Sequence, residues 1–266
     1  MALILCIETG TDICSVALAR DGRLLALHEG AAQRDHARSL APFVDRALCG
    51  AGVAPGELDA VAVSKGPGSY TGLRIGVSFA KGMCYALGIP LIGVGSLLSL
   101  AAVAREQILE DTDAENGRLV SHGLTATSRD RPSLRSPQSA ATEATPLDNT
   151  LLCPMIDARR MEVYAGVFDW RLDPLSPVEA HIIDAGSFSQ FRLAAGGEFL
   201  IFGDGAAKCA EALAPRARYI EVKPSARGLI AAAHAAFDAG TFEDTAYFEP
   251  FYLKDFVVTT TRKKLW

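Results

Sequence analysis

Short apolar runs separated by turn residues open the chain. Residues 2–7 are continuously apolar and stop at Glu8, the pattern of a strand buried on both faces. Residues 13–19 alternate and predict a second strand. Asp21-Gly22 then predicts a tight hairpin, because a type I′ turn needs positive φ at both central positions, and residues 23–28 form its third strand. Leu40, Phe43, Val44, Ala47 and Leu48 recur at helical spacing, with Pro42 near the helix start and Gly50 as its stop. Residues 58–63 predict a fourth strand and 65–72 a glycine-rich loop. A helix over 73–87 is ended by Gly88 and Pro90, residues 91–94 are a fifth strand, and Ser96 caps a helix to about Gln107.

The second half predicts the same order. Residues 151–156 and 161–168 pair as strands around a turn at 157–160, followed by a strand at 180–183 and a helix from Ser187. Residues 199–202 predict a strand, then a loop at 203–205, a helix to about Leu213, a strand at 219–222 and an alanine-rich helix over 225–239 closed by Gly240. Each half therefore predicts β-β-β-α-β-α-β-α. Between the halves, residues 111–150 hold eleven Ser/Thr, three Pro, no aromatic residue and only five of Val, Ile and Leu. Too little apolar surface is available there to offset ordering entropy, which predicts a mobile insertion. Its four arginines (Arg118, Arg129, Arg131, Arg135) are diluted by six acidic residues, so a solvated tether is favoured over an RNA contact. The domain reading is a first lobe over 1–106 and a polar insertion over 107–150. A second lobe covers 151–224, and a C-terminal helix and tail over 225–266 pack back on the lobes.

Composition narrows the function. Apolar residues make up 49% of the 266, enough for a sizeable core, and the opening run is too short for a signal peptide or membrane span. With 26 basic against 31 acidic residues the net charge is −5, so no basic field spreads over the surface and any RNA contact runs through a partner. Six scattered cysteines without a C-x-x-C pair predict small buried hydrophobes of a reducing cytoplasm. His28, His122, His181 and His234 form no chelating pair in sequence. The aromatic stretch at 250–258 packs on a lobe, and Arg262, Lys263 and Lys264 leave a short basic tail.

Alternating strands and helices after a meander predict a mixed sheet with helices on both faces in each half, and a cleft where two such lobes meet. The end of the first strand faces that cleft in each half, at Glu8 and at Asp157. Either carboxylate could meet a metal carried by a nucleotide phosphate, or simply close its own turn. The pattern resembles the actin-like ATPase superfamily, an α/β fold of the ribonuclease H-like kind. Glu8-Thr9-Gly10-Thr11 keeps much of that superfamily's first phosphate turn. The second reads Asp157-Ala158-Arg159-Arg160 with no glycine, and Gly203-Asp204-Gly205-Ala206 is the counterpart of the adenosine loop. The resemblance implies weak or altered nucleotide binding.

Gly66-Pro67-Gly68-Ser69-Tyr70-Thr71-Gly72-Leu73-Arg74-Ile75-Gly76, with IETGTDICSVAL at the start and IDARRMEVYAG at 156–166, closely resembles the TsaB (YeaZ) family. This family supplies the dimerisation subunit for N6-threonylcarbamoyladenosine formation at position 37 of tRNAs reading codons that begin with A. By itself the loop has the makings of a phosphate cradle ahead of a helix N-terminus. The resemblance instead implies protein contact, and the helix after it carries apolar residues on most sides, from Leu73 and Ile75 to Val77 and Met83. The implied interface takes in residues 66–75, Val77, Ser78, Lys81 and, on the neighbouring helix, His36 and Leu40.

The resemblance also implies a non-catalytic role. The sister transferase subunit, TsaD, carries His-x-x-x-His on its first-lobe helix, both imidazoles on one face as metal chelation requires. Here Asp35-His36-Ala37-Arg38-Ser39-Leu40 retains one histidine, with Leu40 at the second ligand position. A hydrolase would want a G-x-S-x-G elbow or H-E-x-x-H, both absent, and a kinase would want a better second phosphate turn. The implied partners are a TsaD-type transferase, a TsaE-type ATPase and, alone, a second copy of the chain. The implied setting is the cytoplasm with no membrane. No cofactor is required by this chain, and ATP or ADP with Mg2+ would belong to the complex interface.

Overall fold

A computed structural model describes residues 1–31, 35–115, 146–193 and 196–253. The first half runs β1 (Leu3–Glu8), β2 (Ile13–Arg20), β3 (Arg23–Ala31), α1 (His36–Ala51), β4 (Ala60–Ser64), α2 (Tyr70–Leu87), β5 (Leu91–Val94) and α3 (Ser96–Glu115). The second runs β6 (Leu151–Asp157), β7 (Glu162–Ala165), β8 (Glu179–Ile182), β9 (Phe199–Phe202), α4 (Ala210–Leu213), β10 (Arg218–Tyr219) and α5 (Ile230–Asp238). The arginines predicted in the insertion, His122 and the basic tail lie outside the described residues.

Two five-stranded sheets result, ordered β3-β2-β1-β4-β5 and β8-β7-β6-β9-β10. In each, the first three strands of the half pair antiparallel and the last two add in parallel to the central strand. The duplicated mixed sheets are the two-lobed α/β architecture expected. Asp21 and Gly22 take φ of 49° and 73°, as the hairpin required, and the Asp21 carboxylate accepts from Ala2 N at 2.7 Å.

Strand alternation sorts the core into layers. Leu3, Leu5 and Ile7 of β1 face α1 and α2, through Leu40, Val44, Leu48, Val77 and Ala80. Ala2, Ile4 and Cys6 face the other way, onto Leu229, Ile230 and Ala233 at the far end of the chain. Small neighbours there (Ala17, Ala19, Ala60, Ala62) let that helix sit close. The exchange is mutual: Leu97, Leu100, Ala101 and Ala104 of α3 pack against Leu152, Ile156, Leu200 and Phe202 of the second sheet. The crossing helices touch where Gly228 lies under Ser99, and a Cβ on Gly228 would stand 2.2 Å from the Ser99 carbonyl oxygen.

Several boundaries differ from expectation, each for a local reason. Gly50 stays inside α1, and the stop is Gly52, whose left-handed φ of 65° lets its N–H reach the Cys49 carbonyl. α2 begins at Tyr70, because Ser69 Oγ accepts from Gly72 N at 3.3 Å and draws Thr71 and Gly72 into the first turn. α3 runs on past Gln107 to Glu115. In the second half, the expected strand at 161–168 pairs over only Glu162–Ala165, with an isolated bridge at Phe168, and that at 219–222 over Arg218–Tyr219. The alanine-rich helix starts as a 3-10 turn at Ala226–Leu229. No helix grows from Ser187 among the described residues, so the second half lacks the helix expected after its meander. There the Asp184 carboxylate accepts from Gly186 N and Ser187 Oγ, both at 2.9 Å, and Phe188 sits at φ 61°. Local side-chain bonds outcompete the helix ladder, and Phe188 and Phe191 anchor the turns on Phe199. Five cysteines are buried as expected, but Cys49 is exposed. Among the described residues no helix is long and apolar enough to cross a membrane.

Candidate functional site

The glycine-rich segment folds inward. It leaves β4 at Ser64 and lies across the turn that follows β1. Ser69 N donates to the Gly10 carbonyl at 2.7 Å, and Thr9 Oγ1 donates to the Gly72 carbonyl at 2.9 Å. The approach is too close for any side chain. A Cβ on Gly68 would lie 2.3 Å from Gly10 O, one on Gly72 2.0 Å from Thr9 O, and one on Gly76 2.2 Å from Thr9 Oγ1. These glycines therefore serve close backbone packing, and the space of a phosphate cradle is filled by Glu8-Thr9-Gly10. Ser96, expected as a helix cap, instead binds the loop: its Oγ accepts from Gly66 N at 3.1 Å and its N–H donates to Gly66 O.

Glu8 sits at the bottom of this knot, buried, with Thr9 fully covered and Thr11 nearly so. Its Oε1 accepts from Gly10 N at 2.6 Å and from Ser64 Oγ at 3.0 Å. Burial pushes its carboxyl up to about 7, against the opposing pull of those two donors, with the nearby Asp204 charge adding to the rise. The carboxylate thus closes its own turn.

The corresponding turn of the second lobe is closed differently. Arg159 and Arg160, at φ 70° and 55°, carry the left-handed pair that glycines would hold more cheaply. The Asp157 carboxylate accepts from Arg159 N at 3.1 Å and from the Lys208 ammonium. Lys208 also donates to the carbonyls of Arg160 and Glu162, each at 2.8 Å. Three oxygens converge on one cation, so the second turn presents acceptors inward where a phosphate would need donors. Gly203 and Gly205 are needed for contact with β6: a Cβ on Gly203 would stand 2.4 Å from Met155 O, and one on Gly205 2.9 Å from the Ile156 carbonyl carbon.

Between the lobes remains a cavity of about 250 Å3, bordered by Thr11, Asp12, Gly203, Asp204, Tyr219 and Lys223. Of the expected cleft residues, Thr11 and Gly203 line it; Glu8, Thr9 and Gly10 lie beneath the surface. Asp204, which accepts from Asp157 N at 3.1 Å, is exposed at the rim, yet enclosure of its carboxyl and then the fields of Asp157 and Asp12 raise its pKa. Among the described residues no three His, Cys, Asp or Glu side chains converge as a metal site.

The expected interface divides into a buried and an exposed part. Leu73 and Val77 lie in the lobe's own core with Ala80 and Cys84, so α2 has one buried stripe and is not apolar toward solvent on all sides. His36 and Leu40 are likewise buried under α1, and Gly66, Pro67 and Gly72 within the loop. These cannot meet a partner directly. Ser69, Tyr70, Thr71, Arg74 and Ser78 are exposed, continuing through Gly82 and Tyr85, which is 88% exposed; Gly68, Ile75 and Lys81 are half-buried. Sequence reasoning gave no role to Asp12 or Lys208 and none to Asp204 beyond its loop; the aromatic stretch from 250, expected to pack on a lobe, does so over its described residues as the end of a longer segment, 243–253. That segment is strapped beside α2: Lys81 Nζ donates to the carbonyls of Ala246 and Phe248, Phe251 N donates to Lys65 O, and Lys65 pairs with Glu243 at 3.3 Å.

Comparison with known proteins adds the family. A family model described as TsaD, tRNA N6-adenosine threonylcarbamoyltransferase, matches residues 29–122. The tRNA threonylcarbamoyladenosine biosynthesis protein TsaB of Escherichia coli K12 is 36% identical over 121 residues, 44% of this chain and 52% of that one. A tRNA N6-adenosine threonylcarbamoyltransferase of Nitratidesulfovibrio vulgaris is 42% identical over 137 residues, 45% of this chain and 37% of that one. The solved structure of YeaZ from Pseudomonas aeruginosa superimposes with a TM-score of 0.66 at 26% identity, covering 95% of this chain and 100% of that one. The match spans about half the length of the curated TsaB relatives. The resemblance to the TsaB (YeaZ) family read from the sequence is borne out.

Proposed function

From the TsaB resemblance as premise, we propose that this chain is a non-catalytic subunit of the machinery that forms N6-threonylcarbamoyladenosine at position 37 of tRNAs reading codons that begin with A. It binds a TsaD-type transferase through the exposed face of α2 and the neighbouring surface of α1. A TsaE-type ATPase then joins, and tRNA is met through the complex. Alone, the chain pairs with a second copy through the same face, which the transferase displaces. ATP or ADP with Mg2+ belongs to the interface of that assembly.

One observation carries the reading. The segment with the strongest family resemblance turns its glycines inward onto Glu8-Thr9-Gly10, and presents Ser69 and the outer face of the following helix to solvent. Both turns that would hold phosphates are occupied from within, one by glycine packing and one by Lys208. The 42% identity to a transferase favours a second reading, catalysis by this chain itself. Against it stands the α1 position where a second imidazole would be needed, which holds the core residue Leu40. Reconstitution of tRNA modification with transferase, ATPase and adenylate-forming enzyme, with and without this chain, decides between them. Loss of product without it, and no product from it alone, is the expected result. Full activity without it overturns the proposal, and product from it alone establishes the second reading.

A further inference from the structure

The docking face described above contains one built feature that the family resemblance does not explain. Arg74 stands on the exposed side of α2 with its guanidinium over the Tyr70 ring, 5.4 Å from the centroid, and donates to Tyr70 Oη at 2.9 Å. The Tyr252 ring lies 4.9 Å from that of Tyr70. Among the described residues no carboxylate pairs with Arg74. A cavity of about 370 Å3 opens here, walled by α2 on one side and by the strap at 243–253 on the other, with Glu249 also on its border. The strap is not loosely laid: Lys81 holds two of its carbonyls, and Phe251 O passes so near Gly66 that a Cβ there would stand at 2.5 Å. The pocket is therefore preorganised, with its arginine aligned on an aromatic plate before anything binds.

We propose that Tyr70, Arg74 and Tyr252 form a receiving pocket for one carboxylate side chain of the transferase partner. This rests on the function proposed above and names the chemistry of the contact. A planar guanidinium with one donor taken by Tyr70 keeps a free fork for bidentate pairing with a carboxylate. The ammonium of Lys81 is already taken by the two strap carbonyls, and Glu249 stands close, so the pocket has charge for a single anion. A polyanionic strand would meet the chain's net charge of −5, which disfavours tRNA as the occupant.

The test is titration calorimetry of the full chain with the transferase subunit, at two salt concentrations, for wild type, Arg74→Gln, Arg74→Lys and Tyr252→Leu. Arg74→Gln is expected to weaken binding at least tenfold and to flatten its salt dependence. Arg74→Lys should recover only part of the loss, and Tyr252→Leu should cost several-fold with the salt dependence intact. In a scan of acidic residues to amides on the transferase, one position should weaken wild type yet leave Arg74→Gln unaffected. Unchanged affinity of Arg74→Gln overturns the pocket while leaving the docking reading standing. Absence of binding by wild type overturns the docking reading itself. Loss of self-association by Arg74→Gln at unchanged transferase affinity, or loss of direct tRNA binding, assigns the pocket to another occupant and also overturns it.

Discussion

The turn after β1 and the turn after β6 occupy equivalent places in the two sheets, yet they are locked by different means. In the first, the glycines of a covering loop come so near that the backbones of residues 8–10 and 68–72 are in direct contact, with the side chains between them turned outward. In the second, Gly203 and Gly205 of the covering segment also pack closely on β6, but the turn itself is held by one long side chain, Lys208, which gathers a carboxylate and two carbonyls. Both rely on glycine packing; the second adds a charged lock at Lys208 that is partly open to water. The two halves repeat one supersecondary unit, and each closes its first turn in its own way. A filled turn therefore carries no single sequence signature, since glycine excess and glycine absence both accompany one here.

Substitutions can break this comparison. Gly72→Ala has the largest expected effect, about 3 kcal/mol of stability by chemical denaturation, since Thr9 O cannot retreat from the new methyl without moving β1. A change below about 1 kcal/mol would show that the first turn is not locked by packing.

Next is the pH dependence set by Glu8. Its pKa of about 7 in the folded chain exceeds the unfolded value, so the folded state binds more protons between roughly pH 4.5 and 7. Stability should accordingly fall as pH rises through that window, by at most ~3 kcal/mol, and Asp204, also raised, acts in the same direction. Glu8→Gln should flatten the curve of melting temperature against pH. An equally steep curve in that variant would place the titration elsewhere.

Lys208→Met should cost only about 1 kcal/mol, because the pair with Asp157 is partly solvent-screened. It should be rescued in part by added Asp157→Asn, as the uncompensated carboxylate disappears. A loss matching that of Gly72→Ala would erase the contrast between shape and charge. Smallest is Arg160→Gly, expected to gain about 0.5 kcal/mol as the left-handed cost exceeds the extra entropy of glycine; a loss instead would mean that the Arg160 side chain contributes more than its backbone costs.

Much of this architecture was legible from spacing. The Asp21-Gly22 turn fixed one hairpin, and the apolar runs marked the central strand of each sheet. The stripe Leu73, Val77, Ala80 and Cys84 was also there to read. It was blurred by Ile75, Phe79 and Met83, which pack half-buried along the flanks of the same core and make α2 look apolar all round. What spacing cannot carry is convergence. Gly68 and Gly72 look like a phosphate loop until the turn sixty residues earlier is seen beneath them. Lys208 carries no mark in its own neighbourhood, since its partners lie 46 to 51 positions away. The missing helix after Ser187 failed for a nearer reason, a carboxylate and a hydroxyl that satisfy the backbone before a first turn can form.

The exchange of α3 and α5 between the lobes bears on how the chain is made. One face of the first sheet, with Ala2, Ile4 and Cys6, stays uncovered until Leu229, Ile230 and Ala233 have left the ribosome. The first lobe therefore cannot complete its core until α5, made long after β1, has emerged, and must wait, greasy side bare, for that helix. Chaperone capture of the nascent chain should therefore persist until α5 emerges, and ribosome-stalled products lacking α5 should keep a protease-sensitive first lobe.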